Sequence, residues 1–416
     1  MAASGWSAGD AESYLSSLEP LGMRFGLERI RKLVSVLGMP QHRFTAIHVV
    51  GTNGKSSVTE MIAALCEAHG MGSGAYISPH VERWSERIRI RGAEIAPDAF
   101  AAAVERVAEA VETVNRTLDE GDAVTQFEAD TAAAFVALAA AGVQIGVIEA
   151  GLGGRLDATN VLQSKATVLT SIGLEHTEWL GDTEAEIATE KLAVLRDHTT
   201  LVTGRLVPEI EDLARRTAAE RNAQVVVVRD LAPAVELPSP APFLRRNFAV
   251  ALAAAEVVLG KLDVGKVRDV AGGLELHGRV EVAGADPAVI LDAAHNADGT
   301  RALAEALDSV TEGRVVIGCM AVLADKDARA MVEALAPKVS ALVATTIPGE
   351  RLARAGRPGA RALSAGDLAA VAVAAGIGQV EKVEDPREAV ERAVALARGA
   401  RGAALVCGSH YLLAYA

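Results

Sequence analysis

Aromatic side chains are scarce in this sequence, and so are cysteines, positive charge and long apolar runs. Aromatic residues make up only 3% of the 416 residues, although half of the chain is hydrophobic. Alanine, valine, leucine and glycine are plentiful instead. This mixture favours helix-rich α/β layers over an aromatic-packed β-sandwich. The length exceeds one average domain, and roughly two or three domains are expected.

The cysteines exclude a disulfide scaffold. Cys66, Cys319 and Cys407 are far apart and odd in number, and their spacing does not match a zinc site. Reduced thiols are typical of the cytoplasm. We therefore expect a cytoplasmic protein.

The shortage of positive charge argues against nucleic acid as a partner. The chain has 41 basic and 54 acidic residues, for a net charge of −13, whereas nucleic-acid binding depends on phosphate neutralisation. No apolar run approaches the roughly 18 residues that span a bilayer. Residues 1–10 also lack the basic and apolar regions of a signal peptide. We expect neither a membrane partner nor a secretory signal.

Short β-branched runs alternate with longer helical patterns along the chain. The strand candidates are residues 45–50, 144–149, 166–171, 287–292, 314–319 and 403–407. The helix candidates are residues 54–69, 96–117, 125–141, 183–195, 245–260, 297–308, 325–337 and 385–398. Such alternation predicts an α/β fold with parallel sheets that are covered by helices on both faces.

Two segments interrupt this alternation. Residues 229–245 are rich in proline and lack periodicity, which indicates a loop within a domain. Residues 272–287 are rich in glycine and end in proline, and a new strand–helix alternation follows them. We therefore place a domain boundary near residue 276, which predicts domains at 1–276 and 277–416.

The most specific chemical motif is HVVGTNGKSS, residues 48–57, where a strand passes through a turn into a helix. The turn residues are Gly51, Thr52, Asn53 and Gly54. Backbone N–H groups in such a turn surround phosphate oxygens, and the helix N-terminus favours the negative charge. Lys55 can neutralise the β- and γ-phosphates, and a hydroxyl can bind magnesium. The motif is a shortened P-loop, because Val49 stands where the usual loop has its first glycine.

Other polar residues follow predicted strands or begin helices in the first domain. Taken alone, Glu128 could be an acid that complements a helix dipole, and Lys191 could be a solvated cation. His176 follows a strand, at the edge where open α/β sheets bind ligands. Residues 149–160, EAGLGGRLDATN, lack the spacing of a dinucleotide fingerprint, and they indicate a ligand-facing turn.

A similar group lies in the second half of the chain. Asp292 and His295 belong to LDAAHNADG, which ends a strand. Asn, Asp and Gly also form turns, so a simple turn explains this segment equally well in isolation. Arg279 lies at the domain boundary, where an ion pair is the ordinary explanation.

Taken together and in order, these motifs resemble the folylpolyglutamate synthase and dihydrofolate synthase family of the Mur-ligase superfamily. The resemblance extends from about Tyr14 to the C-terminal CGSHYLL and rests on GTNGKS, SPH, TQFE, EAGLGGRLDATN, GLEHTEWLGDT, HGR and LDAAHN. It implies a P-loop-containing, parallel-sheet N-terminal ATPase domain and a smaller Rossmann-like C-terminal domain, with the active site between them. The implied reaction is ATP-dependent amide formation through an acyl phosphate, with L-glutamate as the incoming amine.

The resemblance also implies roles for particular residues of the first domain. Lys55 resembles the phosphate-binding lysine, and Ser57 the hydroxyl that binds Mg²⁺, with Ser56 where the family often has glycine. Glu128 and His176 match the other magnesium ligands. Lys191 matches a lysine that is carbamylated in many members and then binds a second magnesium ion.

Further roles concern the nucleotide and the substrates. Asn247 matches an adenine contact, Arg279 a phosphate contact and Asp292 a nucleotide contact, while His295 is expected near the transferred phosphate. The segment 78–92 resembles the folate-side loop. Its substrate candidates are Ser78, His80 and Arg87. Arg155, outside this segment, is a further candidate for the glutamate side.

The expected substrates are therefore ATP, L-glutamate and either dihydropteroate or a reduced folate, and the family resemblance favours a monomer. Three other interpretations remain open on the sequence alone. They are another Mur-superfamily ligase, a nucleotide-binding regulator without turnover, and a P-loop kinase or GTPase. The absence of a nucleotide-sugar domain before the loop weighs against a cell-wall ligase, and the shortened loop weighs against a kinase or GTPase.

Overall fold

Alternating strands and helices build two sheets, each in its own unit of the chain. The structure, a computed structural model, describes residues 5–18, 26–229, 235–284, 286–357 and 359–416. The first unit comprises Met1–Glu236 and Arg246–Gly272, and the second comprises Leu237–Arg245 and Gly273–Ala416.

The first unit is built on an eight-stranded sheet. Its strands are β1 Thr45–Val50, β2 Ser73–Tyr76, β3 Ile88–Ile90, β4 Ala93–Glu94, β5 Ile145–Glu149, β6 Ser164–Leu169, β7 Thr200–Thr203 and β8 Gln224–Val227. Their order is β4-β3-β2-β5-β1-β6-β7-β8, and only β3 and β4 run antiparallel to their neighbours. The strand β1 is central, between β5 and β6, so the loop that follows it leaves the middle of the sheet's carboxyl edge.

Helices connect these strands. They are α1 Ala8–Ser17, α2 Glu28–Val36, α3 Lys55–Ala68, α4 Pro97–Asn115, α5 Gln126–Ala140, α6 Thr177–Leu180, α7 Glu184–Leu192, α8 Pro208–Glu220, α9 Pro242–Leu259 and α10 Val264–Gly272. Thr125 and Thr183 begin α5 and α7 with capping boxes, in which the N-cap hydroxyl and a glutamate satisfy unpaired backbone donors. The alanine-rich helix α5 is buried along nearly all of its length. Five of its buried residues are alanines, and Phe135 adds one large ring to the same core.

The second unit contains a six-stranded sheet with the order β13-β12-β11-β14-β10-β9. Its strands are β9 Arg279–Ala283, β10 Ala288–Asp292, β11 Val316–Met320, β12 Ala341–Ala344, β13 Gln379–Lys382 and β14 Ala403–Cys407. Its helices are α11 Ala297–Val310, α12 Ala328–Leu335, α13 Gly349–Arg354, α14 Ala365–Ala374 and α15 Pro386–Gly399. The strands are parallel except for β9, which pairs antiparallel with β10 at one edge.

These sheets confirm the predicted α/β class, but the two interrupting segments contain more structure than expected. The helix α9 begins at Pro242, inside the proline-rich segment, because proline has the dihedral angle that a first helical turn requires. Residues 230–234 of that segment lie outside the described residues. Leu237–Arg245 groups with the second unit, although it precedes the predicted boundary near residue 276. The glycine-rich segment contains β9, an edge strand that has only one neighbour to pair with.

Within the described part of the chain, none of the helices has the combination of length and apolar character that crossing a membrane requires.

Close packing at Gly146 gives a test of the first sheet. A β-carbon built on Gly146, in β5, would lie 2.5 Å from the ring of Phe44. We expect Gly146→Ala to lower the free energy of unfolding by about 1–3 kcal/mol, because the ring must move in a packed core. Urea denaturation measures the change.

The matched control is Gly9→Ala, in α1, where the added carbon meets only Ser7 Oγ at 3.7 Å. That variant should be unchanged or more stable by about 0.5–1 kcal/mol, since alanine favours the helix. Equal stability of Gly146→Ala and the wild type would show that the sheet is less tightly packed than described.

Candidate active site

At two positions, the loop after β1 has a backbone conformation that only glycine adopts easily. Gly51 and Gly54 have φ values of 151° and 84°. A β-carbon on Gly51 would also collide with Thr170 Oγ1. Gly54 is the N-cap of α3, so the chain turns directly from the loop into the helix. The two glycines of the predicted phosphate motif are therefore required by the backbone itself.

The segment that follows β6 holds this loop. The Thr52 N–H donates to the Ser171 carbonyl at 2.9 Å, and the Asn53 N–H donates to Ser171 Oγ at 2.9 Å. The Thr170 hydroxyl donates to the Asn53 carbonyl at 2.7 Å. Because β6 is the direct neighbour of β1, these bonds tie the loop to the sheet at its carboxyl edge.

Polar groups of α3 lie at the start of the helix, where backbone N–H groups attract anions. The Lys55 amine donates to the Thr52 carbonyl at 3.2 Å. Ser57 is 1% exposed, and its hydroxyl oxygen has no hydrogen-bond partner among the described residues. Ser56 is half-buried beside it. A buried hydroxyl without a partner is costly, so a ligand at this position would remove an energetic penalty.

Lys191, on α7, reaches the same loop. Its amine donates to the Gly51 carbonyl at 2.8 Å, and the residue is 5% exposed. Burial, and next the charge of Lys55, lower the pKa of Lys191 to about 7, while the carboxylates of Glu175, Asp157 and Glu190 act in the opposite direction. A large fraction of this amine is therefore neutral, and hence nucleophilic, near neutral pH.

The glycine-rich turn after β5 packs against the end of α7. A β-carbon on Gly154 would lie 2.7–3.0 Å from backbone atoms of Glu190 and Lys191. The Arg155 N–H donates to the Glu190 carbonyl at 3.1 Å, and its guanidinium pairs with the Glu190 carboxylate at 3.0 Å. Arg155 is otherwise exposed to solvent. The turn thus contacts the helix end that carries the buried amine.

His176 and Glu149 also lie after strands at this edge. His176 has a left-handed backbone and precedes α6, and its Nε2 is 3.9 Å from the carboxylate of Glu175. Glu149 ends β5, next to Val49 of β1, and is 1% exposed. Glu149 was not among the site residues predicted from the sequence, although an acid that ends an apolar strand before a glycine-rich turn was a visible signal.

Glu128 has a different environment from the one its predicted role requires. Its carboxylate accepts hydrogen bonds from the Thr125 N–H at 2.8 Å and from Arg29 Nε at 3.0 Å. Arg29 also pairs with Asp122 at 3.3 Å. The carboxylate therefore caps α5 and joins it to α2. Its role as a magnesium ligand stays a prediction.

The folate-side candidates are buried to different degrees. The Arg87 guanidinium donates to Asp130 at 2.8 Å and to His80 Nδ1 at 2.9 Å, and it stacks on Trp84. Both Arg87 and His80 are buried. The Ser78 N–H lies 3.3 Å from Glu149 Oε2. Ser78 therefore lies beside the carboxyl edge, whereas Arg87 and His80 hold the segment around β3 together.

Asn247 contacts the loop from α9. A β-carbon on Gly54 would lie 3.0 Å from both the amide nitrogen and the amide oxygen of Asn247. The polar end of this side chain thus packs directly on the turn, which places it next to the start of α3.

The second unit brings Arg279, Asp292 and His295 close together. Asp292 accepts from the Val280 and Ala294 N–H groups at 2.9 and 2.8 Å, and burial raises the pKa of its carboxyl. Arg279 lies opposite Asp292 in the sheet, and its guanidinium donates to the Gly278 carbonyl at 2.9 Å. His295 Nδ1 donates to the Ala293 carbonyl at 2.9 Å, so Nε2 is the nitrogen that can accept a proton.

Among the described residues, no three His, Cys, Asp or Glu side chains cluster closely enough to form a metal site by themselves. A metal ion at the loop would need hydroxyl and phosphate oxygens as well. The unpartnered hydroxyl of Ser57 fits such an ion, and oxygen ligands are those that Mg²⁺ and Mn²⁺ prefer.

Comparisons with known proteins agree with this arrangement. Residues 278–410 match the model of the Mur ligase glutamate ligase domain. The dihydrofolate synthase/folylpolyglutamate synthase of Mycobacterium tuberculosis is 33% identical over 413 residues, which cover 89% of this chain and 82% of that protein. The Bacillus subtilis protein of the same name is 32% identical, over 78% of this chain and 82% of its own length. The chain belongs to the dihydrofolate synthase/folylpolyglutamate synthase family. The resemblance inferred from the motifs is thereby confirmed.

Solved structures of this family share the whole fold. Mycobacterium tuberculosis folylpolyglutamate synthase complexed with ADP and AMPPCP has a TM-score of 0.89 and 31% identity, with 98% of both chains covered. Escherichia coli FolC in complex with DHPP and ADP has a TM-score of 0.85 and 27% identity, over 100% of this chain and 98% of that one. The bifunctional synthase of Yersinia pestis complexed with AMPPNP and Mn ion has the same TM-score, identity and coverage.

The different environments of two acidic residues give a test of the site. We expect Glu128→Ala to lower the free energy of unfolding by about 3 kcal/mol, because it removes one partner of a buried ion pair. Urea denaturation measures the loss. The control is Glu28→Ala, which breaks only the exposed pair with Lys32 and should cost less than about 0.5 kcal/mol. Unchanged stability of Glu128→Ala, together with lost metal binding, would instead support Glu128 as a metal ligand.

Proposed function

We propose that this member of the family uses ATP to join L-glutamate to the carboxylate of dihydropteroate or of a reduced folate. The observation that carries the proposal is the loop after β1, which Lys55 and Lys191 both contact through backbone carbonyls. It combines a phosphate-binding helix start with a second, buried amine. The family's names and the nucleotides bound to its solved structures support the same chemistry.

The reaction needs ATP because a carboxylate is a poor acylating agent. The substrate carboxylate attacks the γ-phosphorus of ATP, and ADP leaves. The resulting acyl phosphate has phosphate as a leaving group, which the amino group of L-glutamate displaces to form the amide. Attack of one anion on another requires positive charge at the reacting oxygens, and that is the protein's main electrostatic task.

The residues of the first unit are suited to this task. The N–H groups at the start of α3 and the Lys55 ammonium bind the β- and γ-phosphates. The backbone of the turn Gly51–Gly54 contributes to the same site. Asn247, which packs on Gly54, is positioned for the adenine side of the nucleotide. Ser78 and the exposed Arg155 remain our proposals for contacts with the acceptor and with glutamate, and His80 and Arg87 support the acceptor loop from within.

Magnesium fits the oxygen-rich part of the site. Ser57 supplies a buried hydroxyl without a protein partner, and Glu149 and His176 supply a carboxylate and an imidazole at the same sheet edge. We propose these three as ligands, with Glu149 in place of Glu128. When bound, the ion neutralises charge on the transferred phosphoryl group.

Lys191 is a candidate for carbamylation. A carbamate forms only from a neutral amine, and burial brings the pKa of Lys191 to about 7. The neutral amine would form a C–N bond with CO₂ and release one proton, which leaves an anionic carbamate beside Lys55. The carbamate would remove the repulsion between the two lysines and could supply oxygen ligands for a second magnesium ion.

The second unit supplies the remaining proposed contacts. Arg279 is assigned to phosphate, Asp292 to the nucleotide and His295 to the neighbourhood of the transferred phosphate. We further propose that the protein acts as a monomer in the cytoplasm, where its three buried thiols stay reduced. The division into domains 1–276 and 277–416 is part of the same proposal.

Phosphate release tests the ligase function. Purified protein with ATP, Mg²⁺ and L-glutamate should release phosphate only when dihydropteroate or tetrahydrofolate is added, and Lys55→Ala should lose the activity by about 100-fold or more because it removes transition-state charge stabilisation. Release with one acceptor identifies a monofunctional enzyme, and release with both a bifunctional one. ATP binding without release in either case would favour the regulatory interpretation.

Carbon-13 NMR with labelled bicarbonate tests the carbamate. We expect a carbamate signal near pH 8 that Lys191→Ala abolishes and that exposed Lys165→Ala leaves unchanged. Because the pKa of Lys191 is about 7, the signal should fade as the pH falls below 7 and the amine becomes protonated. A signal that survives in Lys191→Ala would contradict the assignment.

A further inference from the structure

A histidine is buried in the central strand of the first unit, where an aliphatic residue would be ordinary. His48 lies in β1, is 0% exposed, and precedes Gly51 by three residues. Its Nε2 is 2.8 Å from Thr159 Oγ1. Burial lowers the pKa of His48 to about 3, so the ring is neutral. A buried polar ring is costly unless its hydrogen bond does something specific.

The hydrogen bonds continue from this ring in one direction. The Thr159 hydroxyl donates its only proton to Asp157 Oδ1, so His48 Nε2 must be the donor to Thr159. His48 Nδ1 has no hydrogen-bond partner among the described residues. An unprotonated nitrogen tolerates the lack of a partner better than an N–H group would. The chain of donors therefore runs from His48 through Thr159 to Asp157.

Asp157 uses its two oxygens to hold the glycine-rich turn. Oδ2 accepts the Leu152 N–H at 2.8 Å, and Oδ1 accepts the Thr159 N–H at 3.0 Å. The carboxylate is buried and receives only donors. Its orientation thus fixes the backbone at the beginning of the turn.

The turn then fixes the end of α7. Gly154 packs on the backbone of Lys191, and the Arg155 N–H bonds to the Glu190 carbonyl at 3.1 Å. The Lys191 amine in turn bonds to the Gly51 carbonyl at 2.8 Å. These contacts therefore connect His48 to Gly51, three residues further along β1 and its loop, by way of the glycine-rich turn and α7.

We propose that His48 and Thr159 are positioning residues, which place the Lys191 amine by orienting Asp157 and the glycine-rich turn. The inference rests on the proposed function only for its kinetic consequence, since the placement itself can be measured without turnover. Neither residue touches the reacting atoms. They act by positioning the Lys191 amine, which contacts the phosphate loop.

Removal of the Thr159 hydroxyl tests whether this chain of hydrogen bonds positions the Lys191 amine. Thr159→Val is nearly isosteric and breaks both bonds of the chain, whereas Thr159→Ser keeps the hydroxyl. We expect Thr159→Val to lower kcat roughly 10- to 100-fold with little change in KM for ATP, because sub-ångström misplacement acts on the reacting geometry. Thr159→Ser should restore most of kcat. The matched control is Thr113→Val, whose hydroxyl bonds only within its own helix, and it should behave as the wild type.

A double-mutant cycle tests whether the two residues act together. His48→Leu breaks the other end of the chain, so the double variant with Thr159→Val should be no slower than the worse single variant. Additive losses in kcat would overturn the proposal. So would full kcat in Thr159→Val with only a lower melting temperature, or failure of both single variants to fold.

Hydrogen exchange supplies a readout that is independent of catalysis. The Leu152 N–H donates a hydrogen bond to Asp157 Oδ2. It should exchange at least tenfold faster in Thr159→Val than in Thr159→Ser or Thr113→Val. If the wild type shows no ligase activity but this difference appears, the proposed function fails and the positioning chain stands. Equal exchange in all variants would overturn the chain itself.

Discussion

Two lysine amines meet at one short loop, and the first unit is arranged around that conflict. Lys55 donates to the Thr52 carbonyl, while Lys191 donates to the Gly51 carbonyl from another helix. Like charges on the half-buried Lys55 amine and the buried Lys191 amine would repel each other. Burial and the charge of Lys55 favour loss of the proton from Lys191. The site therefore contains, beside Lys55, an amine whose charge depends on its surroundings.

That arrangement holds only if three pieces of backbone stay in register. The bonds from Thr170 and Ser171 fix the loop, the turn at Gly154 fixes the end of α7, and the parallel pairing of β1 with β5 and β6 fixes both turns relative to each other. All of these contacts lie at the carboxyl edge of one sheet. Ligand sites occur at that edge in open α/β sheets because the loops converge there.

The sequence predicted the elements that depend on local patterns. Apolar runs located β1, β5 and β10, and the glycine spacing located the turn between β1 and α3. It could not predict which partners Glu128 and Glu149 have, because both are acids next to predicted elements. The difference depends on Arg29, which is 99 residues from Glu128 in the chain and pairs with it only after folding. Arg87 was expected at the substrate because its segment resembles the folate-side loop, and its pairing with the buried Asp130 could not be predicted from the sequence.

The alanine-rich helix α5 makes the first unit unusual in what it tolerates. Five alanines lie buried along this helix, at Ala129, Ala132, Ala133, Ala134 and Ala137. Little volume can be deleted at such positions, whereas any larger residue must push a neighbouring layer away. Sequence variation at these five alanines is therefore constrained mainly by an upper limit on volume. Along this stripe the unit obtains its rigidity from closeness of approach instead of from bulk.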